Sequence, residues 1–325
     1  MSDQNYFAKE DISNSDLGEL KISPRRFIMR KQQEMQSKSG AMQLGTLIHQ
    51  FTLEPENFVM ADIEPVSGKM GDYIRAYFEL EKSGTPEDKI ADIAYNAAAY
   101  KESHTKPATV LKSFKNKPEN VTFYEFLKKA DGKIALNQKD KRIIEGCLMS
   151  LKENKKSNEL LFSEDESVET FNEKEIYFEQ EGVSCKSKLD RVIVDHSFKT
   201  VTLVDLKTTS SQVYGECTPL NTKTGILLRD WHVTGFMYSV LQYSYHRQLA
   251  FYENALKAEY PDYTISSLIV AIDTKGSYDC AVYKLPSEWL EEGREEIKSL
   301  LSEYKHYKES NNFSVKQGFE AVVEY

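Results

Sequence analysis

The stretch CKSKLDRVIVDHSFKTVTLVDLKTT, residues 185–209, decides how this chain folds. It contains two apolar runs, each beside an aspartate. Residues 185–194 and 201–207 read as strands, with 195–199 as the hairpin turn between them. Side chains two apart in a strand share a face, so Asp205 and Lys207 stand side by side at the end of the run Leu203-Val204. Pairing through the turn brings Asp190 near Asp205. Two carboxylates at close range repel unless a cation lies between them, and hard oxygen ligands suit magnesium, with manganese as a substitute. A lysine beside them can orient an attacking water and offset charge building on phosphate. A bound metal lowers the pKa of that water. This residue set can hydrolyse a phosphodiester. The spacing alone carries little weight, because chance also puts Asp, Asp and Lys at charged strand ends, where an exposed ion pair contributes little.

Working outward, Ile176, Phe178 and Val183 suggest a strand ahead of the quoted stretch, with Glu181-Gly182 as its turn. Further upstream the pattern is helical. Residues 12–38 open with Ser13 or Ser15 as a cap, and Ser23-Pro24 starts a second helix with proline in its first turn. Residues 41–53 predict a third, in which Leu44, Leu47, Ile48 and Phe51 form an inward stripe. Residues 61–165 are rich in Lys, Glu and Asn, and read as a mainly helical insertion or subdomain. Downstream, 210–226 is a loop of Gly, Thr, Pro and Asn, and 229–259 is helical, in one piece or two. Residues 264–273 and 278–284 are strands, and 287–309 is an amphipathic helix. The order predicts an α/β fold, a mixed central sheet flanked by helices, with the catalytic core at 170–285 inside a single domain.

Bulk properties narrow the class. With 325 residues, 40% hydrophobic and 29% charged, the chain can bury a sizeable core. No apolar run approaches the ~20 residues of a membrane span, and the N-terminus lacks the pattern of a signal peptide, so a cytoplasmic protein is expected. Cys147, Cys185, Cys217 and Cys280 form no CxxC pair, which argues against a zinc site or an iron–sulfur cluster. The net charge of -9 argues mildly against nucleic acid as a partner, although binding depends on where charge sits. Lys21, Arg25, Arg26, Arg30, Lys31 and Lys38 crowd one stretch whose single acid is Glu34. Taken alone, such a cluster is better read as an ordinary solvated helix face.

Two pairs of residues shift the balance toward chemistry. Gly45 and His49 lie four apart, on a flank separate from the Leu44/Ile48 stripe. Glycine permits close approach of a neighbour. Gln248 and Tyr252 also lie four apart on one helical face, beside the expected centre. Taken together, the segments ISNSDL at 12–17, Ser23-Pro24, AMQLGTLIHQFTLEPENF at 41–58, CKSKLDRVIV, VDLKTT at 204–209 and YSYHRQLAFY at 243–252 resemble the exodeoxyribonuclease VIII (RecE-like) family of PD-(D/E)XK nucleases of phages and prophages. The resemblance covers roughly 12–58 and 170–285.

That resemblance implies a restriction-endonuclease-like core and a set of roles. His49, Asp190 and Asp205 would bind the divalent metal, with the Leu206 carbonyl as a further ligand. Lys207 would be the catalytic lysine, and Gln248 and Tyr252 the family's QxxxY pair. A motif glutamate would be Glu173, or else Glu175. Thr208 and Thr209 would touch substrate phosphates. The implied activity is 5′-to-3′ digestion of one strand of linear double-stranded DNA, leaving 3′ tails for recombination. The implied assembly is a homo-oligomeric ring, working beside a single-strand annealing protein. Leu189 replaces the family's usual proline, which is not a ligand, and the loop between Thr209 and Tyr243 is longer than usual. An endonuclease or a helicase-linked nuclease on the same core, and a catalytically silent DNA-binding assembly protein, are the competing readings. If Arg25 and Arg26 line a DNA channel, changing both to glutamate should weaken binding and lower the salt slope by about two; an unchanged slope in a salt titration would remove them from the interface.

Overall fold

A computed structural model describes residue 6 and residues 9–32, 40–59, 64–102, 105–130, 134–135, 138–163, 165–219 and 231–319. In chain order, helices α1 (Asn14–Ile22), α2 (Pro24–Lys31) and α3 (Gly40–Leu53) are followed by strand β1 (Phe58–Val59). Helices α4 (Gly68–Lys82), α5 (Glu87–Ala97), α6 (Pro107–Asn116) and α7 (Pro118–Lys129) precede β2 (Ile134–Ala135), α8 (Gln138–Glu153) and α9 (Lys155–Phe162). Then come β3 (Glu169–Gln180), β4 (Val183–Asp195), β5 (Thr200–Thr209), β6 (Cys217–Pro219) and β7 (Trp231–Val233). Helices α10 (Phe236–Gln242) and α11 (Tyr245–Glu259), strands β8 (Thr264–Asp273) and β9 (Cys280–Tyr283), and helix α12 (Ser287–Ser310) are the last helices and strands among the described residues.

The chain divides into two compact units, one of residues 1–53 and 146–325 and one of 54–145. The second unit is helical, with the parallel pair β1–β2 as its only sheet among the described residues. It has its own aromatic core, in which Tyr73, Tyr77, Phe114 and Phe123 are buried. No helix among the described residues is long and apolar enough to cross a membrane.

The first unit is built on a mixed five-stranded sheet in the order β3-β4-β5-β8-β9. Strands β3, β4 and β5 form an antiparallel meander, β5 and β8 are parallel, and β9 returns antiparallel to β8. A parallel neighbour needs a crossover, and α10 and α11 supply it. The α/β fold expected from the element order is therefore the fold observed. Val192, Leu203, Ile269, Leu249 and Trp289 are fully buried in its main core, so β4, β5 and β8 carry the apolar load.

Several boundaries differ from the sequence reading. Ser13, rather than Ser15, caps α1, in a reciprocal capping box with Asp16. Strand β3 begins at Glu169 and ends before Val183, which belongs to β4. Its first half is polar because it is an edge strand, and alternating glutamates mask the pattern. Residues 229–259 hold helix in two pieces, one of the two forms expected, with Ser244, at φ 54 and ψ 42, separating α10 from α11, but β7 occupies 231–233.

Helices α11 and α12 pack closely enough that a Cβ on Gly293 would lie 2.9 Å from the His246 carbonyl oxygen. Their polar tie is Glu296, which meets Arg247 Nη1 at 2.6 Å and Lys21 Nζ at 2.9 Å, with His246 Nε2 at 3.8 Å. Burial alone would raise this carboxyl, but His246, Arg247 and Lys21 together hold it far below the usual range. A depressed carboxyl stabilises the fold above its unfolded pKa and loses that contribution as pH falls through the folded value. Glu296→Gln should therefore lower stability by about 2–3 kcal/mol at pH 7. It should also flatten the acid limb of a urea-denaturation series, where the wild type weakens below about pH 4.5.

Candidate functional site

The site forms where two strands part. The β4–β5 ladder ends at Arg191–Val204. One step further along the same register, Asp190 faces Asp205, and the backbone no longer pairs there. The Asp190 carboxylate takes over instead: its Oδ2 accepts the Leu206 N–H at 2.8 Å. Beyond the gap, β4 gains a different neighbour on that side, as Ile12 bridges to Cys185 and its backbone bonds Ser184 and Lys186.

The β3–β4 ladder has a matching break. Asn172 pairs with Arg191 and Lys174 with Leu189, while Glu173 between them, opposite Asp190, sits at φ 51. A left-handed conformation costs a non-glycine residue about 1–2 kcal/mol, and such strain collects at functional sites. Glu173, Asp190 and Asp205 therefore form one row across three strands. Each outer member holds a lysine: Lys188 Nζ is 2.9 Å from Glu173 Oε2, and Lys207 Nζ is 2.6 Å from Asp205 Oδ2.

Two helices close on this row. Helix α3 comes so near β5 that a Cβ on Gly45 would lie 2.8 Å from Thr208 Oγ1. That contact sets down His49, one turn later, with Nδ1 3.4 Å from Asp190 Oδ2 and its ring hydrogen-bonded to the Leu206 backbone. Helix α11 contributes Gln248, whose Nε2 donates to Tyr252 Oη at 2.8 Å. Burial, with Asp205 and Asp190 adding to it, raises the Tyr252 hydroxyl well above its ordinary range, so it stays protonated. Tyr245 lies with its ring centre 5.1 Å from Lys207 Nζ.

Charge is concentrated at low solvation. The Asp205 side chain is 1% exposed and Lys207 13%, while Asp190 and His49 open outward at 16% and 23%. Burial raises both aspartates; Lys207 pulls each back, and Asp190 pushes Asp205 further up. Burial also raises Glu173, against the bond from Lys188. Burial alone would lower Lys207, but Asp205 and Asp190 outweigh it and keep the ammonium charged. Burial, helped by Lys207, lowers His49 to about 4, so its imidazole is neutral at pH 7 and has a free lone pair.

The residue types and one atom fit a divalent cation. Asp205 Oδ1 is buried and has no hydrogen-bond donor among the described residues, an arrangement that costs free energy unless a cation compensates. Oxygen donors with one imidazole suit magnesium or manganese. Among the described residues no three His, Cys, Asp or Glu side chains already stand in a metal cluster. The Leu206 N–H and the Lys207 ammonium engage the carboxylate oxygens that such a cluster would use.

The other sequence-named residues lie as follows. The Thr208 side chain packs on Gly45, and Thr209 Oγ1 accepts the Ser211 N–H. Arg26 Nε bonds Glu19 at 2.8 Å, and Arg25 is exposed. Arg30 and Lys31 both pair with Asp16, so much of the basic stretch is neutralised within the fold. Lys38 and Glu34 fall outside the described residues. Glu175 accepts from the Tyr177 hydroxyl, away from the row. Sequence reasoning missed Lys188 and Tyr245. The alternation Lys188–Asp190 signals the first. Tyr245, three before Gln248, signals the second only once the helix start is known.

Behind the row, Arg191 points to the opposite side of β4. It donates to the carbonyls of Leu160 and Ser163 and to Asn172 Oδ1, and Asn172 Nδ2 in turn donates to the Leu53 carbonyl at the end of α3.

Compared with known proteins, the chain matches the model of a PDDEXK-like domain of unknown function (DUF3799) over residues 13–320. No curated protein matches. A crystal structure of a proposed exonuclease from Eubacterium rectale aligns with a TM-score of 0.52 at 12% identity, covering 100% of this chain and 95% of that one. A crystal structure of SSO0001 covers 85% of this chain and 90% of that one at 14% identity, with a TM-score of 0.23, too low to support a shared fold.

The Gly45–Thr208 contact can be tested directly. Gly45→Ala should displace His49 and weaken magnesium or manganese binding by about tenfold or more in calorimetry. Adding Thr208→Ala removes the atom that clashes, leaving Cβ at 4.0 Å, and should restore affinity.

Proposed function

As the chain belongs to the PDDEXK-like family DUF3799, we propose that it is a metal-dependent deoxyribonuclease acting as an exonuclease on linear double-stranded DNA. The observation that carries this reading is the row Glu173–Asp190–Asp205, with Lys207 on Asp205 and His49 on Asp190. A nuclease reading agrees with the fold shared with the Eubacterium rectale protein.

His49, Asp190, Asp205 and the Leu206 carbonyl would hold magnesium or manganese. That ion would polarise the phosphate and make its bound water acidic. Lys207, kept charged by the aspartates, orients the water at its Nζ and offsets negative charge as the phosphorus gains a fifth oxygen. Water's oxygen bonds to phosphorus, the bond from phosphorus to the departing sugar oxygen breaks, and the proton given up by water balances the one that oxygen takes. Asp205 fixes Lys207, and Lys188 fixes Glu173. Gln248 and the protonated Tyr252 offer donors beside the centre for the phosphate or base. Thr208 and Thr209 are assigned to neighbouring phosphates.

The finer part of the proposal is a 5′-to-3′ polarity leaving 3′ tails, a ring of identical subunits around the duplex, and a single-strand annealing protein as partner. It is supported by the sequence resemblance to the RecE-like nucleases. A ring retains DNA by topology, so a chain of net charge -9 need not bind it by charge alone. With magnesium, end-labelled linear duplex should be degraded and closed circles spared, and Lys207→Ala should lower the rate about 100-fold or more. Cutting of closed circles would point to an endonuclease instead, and a wild type no faster than Asp205→Ala would leave only a DNA-binding role.

A further inference from the structure

An aromatic file leads from the core to solvent alongside the reaction centre. Phe236, 1% exposed, anchors it. Its ring stacks on Tyr283 at 5.6 Å and on Tyr245 at 6.1 Å. The Tyr245 ring is 5.1 Å from Lys207 Nζ and 5.8 Å from the ring of Tyr243, tilted 33° from it. Tyr243 closes the file and is 59% exposed.

The backbone between the two tyrosines is held in an unusual state. Ser244 is left-handed, at φ 54 and ψ 42, which a non-glycine residue adopts at a cost. A regular helix would turn Tyr243 and Tyr245 well apart, because residues two apart on a helix do not face each other. The left-handed residue ends α10, starts α11 and lets the two rings meet. Neither core packing nor a hydrogen bond from the Tyr243 hydroxyl, among the described residues, accounts for an exposed aromatic ring placed there. Such a ring gains by covering its face with another flat, weakly polar surface.

We propose that Tyr243, backed by Tyr245, is a stacking platform for a nucleobase of the DNA strand being cut, on the Lys207 side of the centre. This rests on the nuclease reading of that centre. Three features favour a base over other occupants. The platform is one side chain away from Lys207, so a phosphate at Lys207 and its attached nucleoside fall within reach of both groups. Tyrosine stacks on any base through its π-face, which suits digestion without regard to sequence. The bases at a duplex end are also the cheapest to unstack and splay.

The test reads binding rather than cleavage. A linear duplex whose 5′-terminal base is 2-aminopurine is titrated with protein in calcium, which occupies oxygen sites without supporting rapid hydrolysis. Stacking on tyrosine should quench the fluorescence of the free end with wild type and with Tyr243→Phe. Tyr243→Ala changes an exposed residue and should leave the fold intact by circular dichroism. It should lose the quench and bind at least about fivefold more weakly, the lower end of what one base–aromatic stack contributes. With an abasic 5′ end, wild type and Tyr243→Ala should bind alike. Equal quenching and equal affinity of Tyr243→Ala and wild type on the 2-aminopurine duplex would overturn the platform, as would a difference that persists on the abasic end. A chain that stacks the base yet hydrolyses nothing in magnesium would support the platform and sink the nuclease reading, so the two can fail separately.

Discussion

Two carboxylates facing each other across adjacent strands, with little water between them, are the constraint on which this structure is built. At an effective dielectric of ~20 and ~4 Å, a like-charge pair costs several kcal/mol. A fully regular sheet would give it no remedy, because every backbone donor would be used in the ladder. Here the ladder stops at Arg191–Val204, which frees the Leu206 N–H for Asp190. Lys207 meets Asp205 from the same strand and offsets the charge of both aspartates. The irregularity of the sheet is thus what lets the charges coexist. Glu173 repeats the solution one strand over, with a left-handed backbone and Lys188.

This also explains why ordinary elements surround an unusual centre. Strands β4, β5 and β8 bury Val192, Leu203 and Ile269 in a core that does not include the charged row. The crossover helices α10 and α11 fill the space that the parallel pair requires. Their junction at Ser244 brings Tyr243 and Tyr245 together beside the centre. The core of the fold is apolar and regular, and the charged residues of the candidate site stand where regular pairing fails.

The same division sets what the sequence could reveal. Apolar runs and turn residues made β4, β5 and β8 legible, and with them the α/β class. The Asp205–Lys207 pair was legible because alternation in a strand is local, and Gly45 was legible as a point of close approach. The proximity of His49 to Asp190 was not, since it depends on a helix more than a hundred residues upstream and no local period encodes it; only the order of motifs suggested it. Glu173 was preferred to Glu175 only narrowly, because the sequence does not show that Glu175 pairs in the ladder with Lys188 while Glu173 stands unpaired opposite Asp190. Tyr245 was hidden because the helical pattern of 229–259, in one piece or two, carries no mark of where it breaks, and the break falls at Ser244 through backbone geometry at an unremarkable residue. The basic stretch of α2 looked like a free patch because Asp16 and Glu19, which answer it, lie on the preceding helix.

The brace behind the centre has a consequence for how such a protein can change over generations. Arg191 follows Asp190, Asn172 precedes Glu173, and Leu53 ends the helix that carries His49; one amide, that of Asn172, ties the first to the third. Its carbonyl end accepts and its amino end donates, so neither an aspartate nor a leucine of similar size serves both partners. Leu53 takes part through its backbone carbonyl, which any residue there supplies, so the constraint falls on the two side chains, and related chains should keep Asn172 and Arg191 together or replace them in concert. Their joint inheritance would be a mark of descent in lineages whose surfaces have otherwise diverged.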